Sequence, residues 1–165
     1  MFLSLSSYLK VIQLTYTNKM PIKDYPFTPV TPSHARPMLW IRVTNPHTNT
    51  KVVMQALLDT GADSCAFPAD TAEQLGHNLR SAPATVVFTA SGQTEAFAHT
   101  SRVDILEMRP DGLAGNKVLY TIDDTPIDFI QGCDDFLLGV RDFLEEFVLT
   151  IDYPRQRFSI RKAGK

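Results

Sequence analysis

The chain has 165 residues, with 16 Lys and Arg against 18 Asp and Glu, for a formal net charge of -2. That length fits one domain around one core, and the near-neutral balance lacks the basic face that a nucleic-acid binder needs. Two cysteines cannot build a disulfide scaffold or a four-thiolate zinc site, and no apolar run approaches the roughly 20 residues of a membrane-spanning helix.

Residues 1–19 are moderately apolar but interrupted by Lys10 and Gln13, with no basic start and no small-residue cleavage site. The expected compartment is the cytoplasm, with a secretory signal as the alternative, and Met20 is an alternative start. Pro21, Pro26, Pro29, Pro32 and Pro37 then mark an arm. Proline removes backbone donors and fixes φ, so the arm is extended, neither helix nor central strand. The expected organisation is an N-terminal extension over 1–35, extended or disordered, and one domain over 36–162.

Short alternating apolar runs begin after the arm. Residues 38–44 and 51–58 read as two strands of a hairpin around the Asn- and Pro-containing turn 45–50. Asp59-Thr60-Gly61-Ala62-Asp63-Ser64 breaks the second strand. Residues 68–76 read as a short helix, with Pro68 at its start and Gly76 at its end. Residues 85–90 and 94–100 form a second hairpin around Ser91-Gly92-Gln93. Further strand-like runs cover 102–108, 117–122 and 127–130. Residues 140–147 read as one amphipathic helix, and 147–152 with 157–160 as a closing hairpin. Many short strands with two short helices give an all-β class, a barrel or a sandwich.

Two segments carry chemistry. Asp59 follows Leu57 and Leu58 and precedes Thr60-Gly61, where the backbone must turn sharply; glycine permits the turn and a hydroxyl can hold it. A carboxylate at the end of a buried strand is partly desolvated. Taken alone, the tripeptide also reads as an ordinary turn. Leu137-Leu138-Gly139 lies far downstream, where a glycine lets one backbone pack tightly beneath another. His34, His47, His77 and His99 lack ligand spacing, so no metal or other cofactor is expected. Cys65 and Cys133 read as core or wall thiols.

In this order the parts resemble the retroviral-type, or retropepsin-like, aspartic proteases. The match runs from Arg36-Pro37-Met38-Leu39 through Leu57-Leu58-Asp59-Thr60-Gly61-Ala62-Asp63, a hairpin at 85–98 and Leu137-Leu138-Gly139, to the hairpin at 147–160. The resemblance implies a closed acid-protease barrel, a homodimer, and hydrolysis of a peptide or protein substrate by two aspartates, one Asp59 from each subunit. Such chemistry needs two close carboxylates sharing one proton. The chain has a single Asp-Thr-Gly, so the second must come from another copy. Thr60 and Gly61 would support the loop, and the hairpin would act as a flap over the substrate. Ala62, Asp63, Phe88, Ala90, Gly92, Asp134, Asp135 and Leu137 would contact substrate, with Asp134 and Asp135 favouring a basic or polar residue near the cleavage site. Asp63 would pair with Arg141, although Val140 separates Arg141 from Gly139. That spacing, and a hairpin tip with one glycine, keep open a non-catalytic dimerisation or peptide-binding module of the same fold. A structural barrel with Asp-Thr-Gly as a plain turn is the remaining alternative.

Overall fold

The structure is a computed structural model and describes residues 22–89 and 92–164. The arm forms β1 (Ile22–Pro26) and a small hairpin, β2 (Thr28–Thr31) and β3 (His34–Arg36). Next come β4 (Met38–Thr44), β5 (Lys51–Leu58), β6 (Cys65–Pro68), helix α1 (Ala69–Gln74) and β7 (Ala84–Thr89). The chain continues through β8 (Gly92–Met108), β9 (Ala114–Ile130), β10 (Leu137–Leu138), β11 (Phe147–Asp152) and β12 (Arg157–Lys162). The all-β expectation holds.

The main sheet runs β4-β5-β10-β6-β9-β8-β7, and β4 also pairs with β8. That extra pairing, from Ile41 opposite Ile105 to Thr44 opposite Arg102, closes six strands into a barrel and leaves β7 outside. Closure removes the open edges of the strands it joins. Alternation places the core: Leu39, Ile41 and Val43 of β4 point inward, as do Met54, Ala56 and Leu58 of β5. They meet Val103, Ile105, Ile127, Phe129 and Leu138 in one buried cluster. Each fully buried aliphatic or aromatic side chain contributes about 1.5–3 kcal/mol.

A second sheet, β1-β12-β11, joins both ends of the described chain. Here the arm is an edge strand, where Pro26 costs no ladder bond. Ile22 and Phe27 are buried with Phe158 and Ile160 in the same core.

One expectation is extended and one fails. The runs 94–100, 102–108, 117–122 and 127–130 are parts of two strands of 17 residues each, β8 and β9. Bulges between Ser101 and Val103 and between Ile105 and Leu106 bend these strands, and Asp124 takes a φ of 54°. Pro126 interrupts no inter-strand bond with β6, because that pairing starts at Ile127. The helix expected over 140–147 is a turn followed by a 3-10 turn at Leu144–Glu146. Val140 N–H donates to the Ala62 carbonyl and Arg141 N–H to the Asp63 carbonyl, both at 2.9 Å, while the Leu144 and Glu145 N–H groups reach back five residues to the Gly139 and Val140 carbonyls instead of the four of an α-helix. Asp142, at a φ of 64°, then leaves helical geometry. Among the described residues, no helix is long and apolar enough to cross a membrane.

Candidate active site

β5 and β6 flank the 59–64 loop, and they do not pair with each other. β10 is inserted between them, parallel to β5 (Leu137 opposite Leu57, Leu138 opposite Leu58) and antiparallel to β6 (Leu137 opposite Ala66). This insertion brings together two segments that are remote in sequence. Leu57 N–H donates to the Phe136 carbonyl at 2.8 Å, and Asp59 N–H donates to the Leu138 carbonyl at 3.1 Å. On the other side, Leu58 N–H donates to the Pro37 carbonyl at 3.0 Å. The Asp59 backbone is therefore held from both flanks.

Beyond β10 the chain passes directly under the loop. A Cβ built on Gly139 would collide with the Ser64 carbonyl, so only glycine fits. The loop closes on itself as well. Gly61 N–H donates to the Asp59 carboxylate at 2.9 Å, and Ala62 N–H donates to the Asp59 carbonyl at 3.3 Å. Ser64 Oγ donates to Asp128 on β9 at 2.6 Å and ties down the far end. That anchor had no signal in the sequence, because the Ser64–Asp128 pairing depends on β6 lying against β9.

Asp59 is half-buried in the single chain, and Thr60, Gly61 and Asp63 are exposed around it. Ala62 and Leu137 are half-buried in the same region. The expected ion pair of Asp63 with Arg141 is not formed. Arg141 meets Asp63 through its backbone N–H, and both side chains stay exposed.

Asp134 and Asp135 are exposed in the loop before β10. Asp135 accepts from Arg36 Nη1 at 3.5 Å, which ties the arm to this loop. Asp134 and Phe136 line an open cavity of about 500 Å³ together with Pro68, Asp70 and Gln131. In the β7–β8 hairpin, Phe88 pairs with Gln93 and is 84% exposed, so it stands clear of the loop. Gly92 has a φ of 117°, a conformation that favours glycine. Ala90, also expected at this tip, lies outside the described residues, as does Ser91.

Neither cysteine is poised as a nucleophile. Cys65 is buried, and desolvation pushes its thiol up to about 11, well away from the reactive thiolate range. Burial also raises the Cys133 thiol. Among the described residues, no cluster of His, Cys, Asp or Glu is placed to hold a metal ion.

A closed barrel whose Asp-Thr-Gly loop rests on an inserted Leu-Leu-Gly strand defines the acid-protease class of fold. An aspartyl protease family model matches residues 47–141, more than half of the chain, and the chain belongs to that family. The retropepsin-like aspartic protease from Rickettsia conorii superposes with a TM-score of 0.55 at 20% identity, over 86% of this chain and 93% of its own. The fold is retropepsin-like. The EIAV protease in complex with the inhibitor HBY-793 aligns at 17% identity and a TM-score of 0.40, over 67% of this chain and 88% of its own. No curated protein matches the chain. By family, the chain is an aspartic protease.

Proposed function

We propose that the protein is an endopeptidase that works as a homodimer, with one Asp59 from each copy forming the catalytic dyad. The observation that carries this reading is the Asp59 carboxylate itself. It is oriented by the Gly61 amide on a loop held by Leu138, Pro37 and Gly139, yet its outer side faces solvent. One chain supplies half of a two-carboxylate site, and a two-fold partner supplies the identical half.

In the dimer, like charges this close share one proton and titrate as a unit. The ionised carboxylate takes a proton from water, whose oxygen attacks the scissile carbonyl carbon. The protonated carboxyl donates a hydrogen bond to the carbonyl oxygen. Collapse of the tetrahedral intermediate breaks the C–N bond as a proton passes to the leaving nitrogen. Activity is highest at mildly acidic pH, where the pair retains its single proton. The partner and the β7–β8 hairpin, closing with Phe88 and Gly92 over an extended peptide, supply the desolvation that a single chain lacks. Asp63 accepts from the substrate backbone, Ala62 and Leu137 line the cleft, and Thr60 supports the loop.

Asp135 is already engaged by Arg36. We therefore assign the preference for a basic side chain near the scissile bond to Asp134. Profiling the purified protein on a peptide library tests both parts. Cleavage should vanish in Asp59→Asn, and cleaved sequences should carry Lys or Arg close to the scissile bond. Cleavage that survives in the Asn variant overturns the mechanism, and a preference for purely apolar flanks overturns the specificity.

A further inference from the structure

Three histidines gather at the foot of the β7–β8 hairpin, away from the Asp59 loop. His77 follows α1 and is buried. Its ring stacks on that of His99 in β8, with centroids 4.7 Å apart and planes at 27°. Both rings pack against Phe129. His77 Nδ1 lies 3.3 Å from Asn45 Nδ2, and its Nε2 lies 3.1 Å from Ser101 Oγ.

The hydrogen bonds determine where the His77 proton sits. Asn45 Oδ1 accepts from the His47 amide at 2.9 Å, and Asn45 Nδ2 donates to the Leu75 carbonyl at 3.0 Å. The Asn45 amide is therefore oriented with its nitrogen toward His77. His77 Nδ1 can only accept, so the proton is on Nε2 and is donated to Ser101. This neutral tautomer satisfies every contact. A second proton on Nδ1 would point one donor at another inside a buried site, which costs the bond and leaves a charge poorly solvated.

Among the described residues, nothing nearby offsets that charge. The titratable groups acting on His77 are His99 and His47; both oppose its protonation, and burial acts in the same direction. Charged residues on the surrounding elements are directed elsewhere. Arg102 on β8 bonds Asp104, Asp128 on β9 is held by Ser64, and Arg80 lies over Phe97. Asp70 and Glu73 on α1, and Lys51 at the start of β5, are exposed.

The same segment anchors the hairpin. His77 N–H donates to the Ala72 carbonyl at 2.8 Å, and two residues later the Leu79 carbonyl lies 3.1 Å from His99 Nε2. From there the chain passes through Pro83 into β7. We infer that the stacked His77–His99 pair is an acid-released latch: protonation of His77 expels its ring from the Asn45–Ser101 site, detaches residues 77–81 from β8, and frees the hairpin to swing. The latch rests on the proteolytic reading only for what it admits, a peptide substrate under the hairpin.

Hydrogen exchange tests this on the full chain without any need for cleavage. Between about pH 7.5 and about pH 5, after correction for intrinsic rates, protection over 84–89 and 92–99 should fall about tenfold while β4 and β5 keep theirs. In His77→Gln, which stays neutral, the hairpin should show less than about a twofold change. PH-independent protection in the wild type, or an equal loss in the Gln variant, overturns the latch. Should the variant fail to fold, ring nitrogen shifts of wild-type His77 decide. They must report the Nε2–H tautomer at neutral pH and a protonation midpoint that coincides with the exchange transition, and failure of either overturns it. A hairpin that loosens in a protein without cleavage leaves the latch standing and removes the protease reading; cleavage with a rigid hairpin does the reverse.

Discussion

At Gly139, one hydrogen in place of a side chain decides whether the Asp59 loop can rest on the strand beneath it. Gly139→Ala drives a methyl into the Ser64 backbone, which cannot yield without moving the loop. The expected loss is about 3 kcal/mol or more, above the ordinary cost of overpacking because backbone meets backbone, and urea unfolding measures it. Asp59→Asn should behave in the opposite way. Asp59 is half-buried, and among the described residues its carboxylate accepts the Gly61 amide, a role that the Asn oxygen can keep. Its melting temperature should stay close to that of the wild type while kcat falls by about a thousandfold or more, since an amide cannot take the water proton. A variant that also loses its fold would mean that Asp59 is structural.

Between elements, the barrel seam depends on one buried carboxylate. Asp104 of β8 accepts from Arg42 of β4 at 2.6 Å and 3.1 Å, from Arg102 at 3.1 Å and from Thr121 of β9 at 2.6 Å. Burial pushes this carboxyl up, but the Thr121 and Arg42 hydrogen bonds and the two guanidinium charges outweigh it, and the net shift is below the usual 3.8. A carboxylate depressed on folding adds stability above its ordinary value and loses it as pH falls through the folded one. Asp104→Asn should therefore cost about 2–3 kcal/mol at neutral pH, discounted because Arg42 is partly exposed. The gap from the wild type should narrow in denaturant melts as pH drops below about 3.8. A constant gap would place the effect in packing. None of these cross-strand partners was legible, because Arg42 meets Asp104 only once β4 pairs with β8, and Thr121 meets it only once β8 pairs with β9. The helix misread at 140–147 has a local origin: its apolar spacing is helical, but Asp142 sits at a φ of 64° and the Leu144 and Glu145 amides bond five residues back instead of four.

For the molecule as a whole, both ends of the described chain are consumed in cis. β12 has β1 on one side and β11 on the other, so it offers no free edge for a partner's terminal strand. The proposed dimer is then expected to form from monomers that are already folded. Dilution should leave the far-ultraviolet circular dichroism unchanged while specific activity falls with the monomer fraction. Coincident loss of structure would show that the monomer cannot stand alone. The arm is part of the same core through Ile22 and Phe27. Ile22→Ala should cost about 2–4 kcal/mol in thermal or urea unfolding, as for any fully buried aliphatic truncation. A cost near zero would mean that β1 is a detachable strap.

Local pattern sufficed for the strands of β4, β5, β11 and β12, the short helix after Pro68, and the Asp-Thr-Gly and Leu-Leu-Gly segments, because alternation, turn residues and glycine act over a few positions. Contacts between distant segments needed the folded chain. The insertion of β10 between β5 and β6, the ring closure through β4 and β8, the Ser64–Asp128 anchor and the stacked His77–His99 pair each join residues more than 20 positions apart. Side-chain identity limits what such a contact can be, but only packing decides which partner arrives.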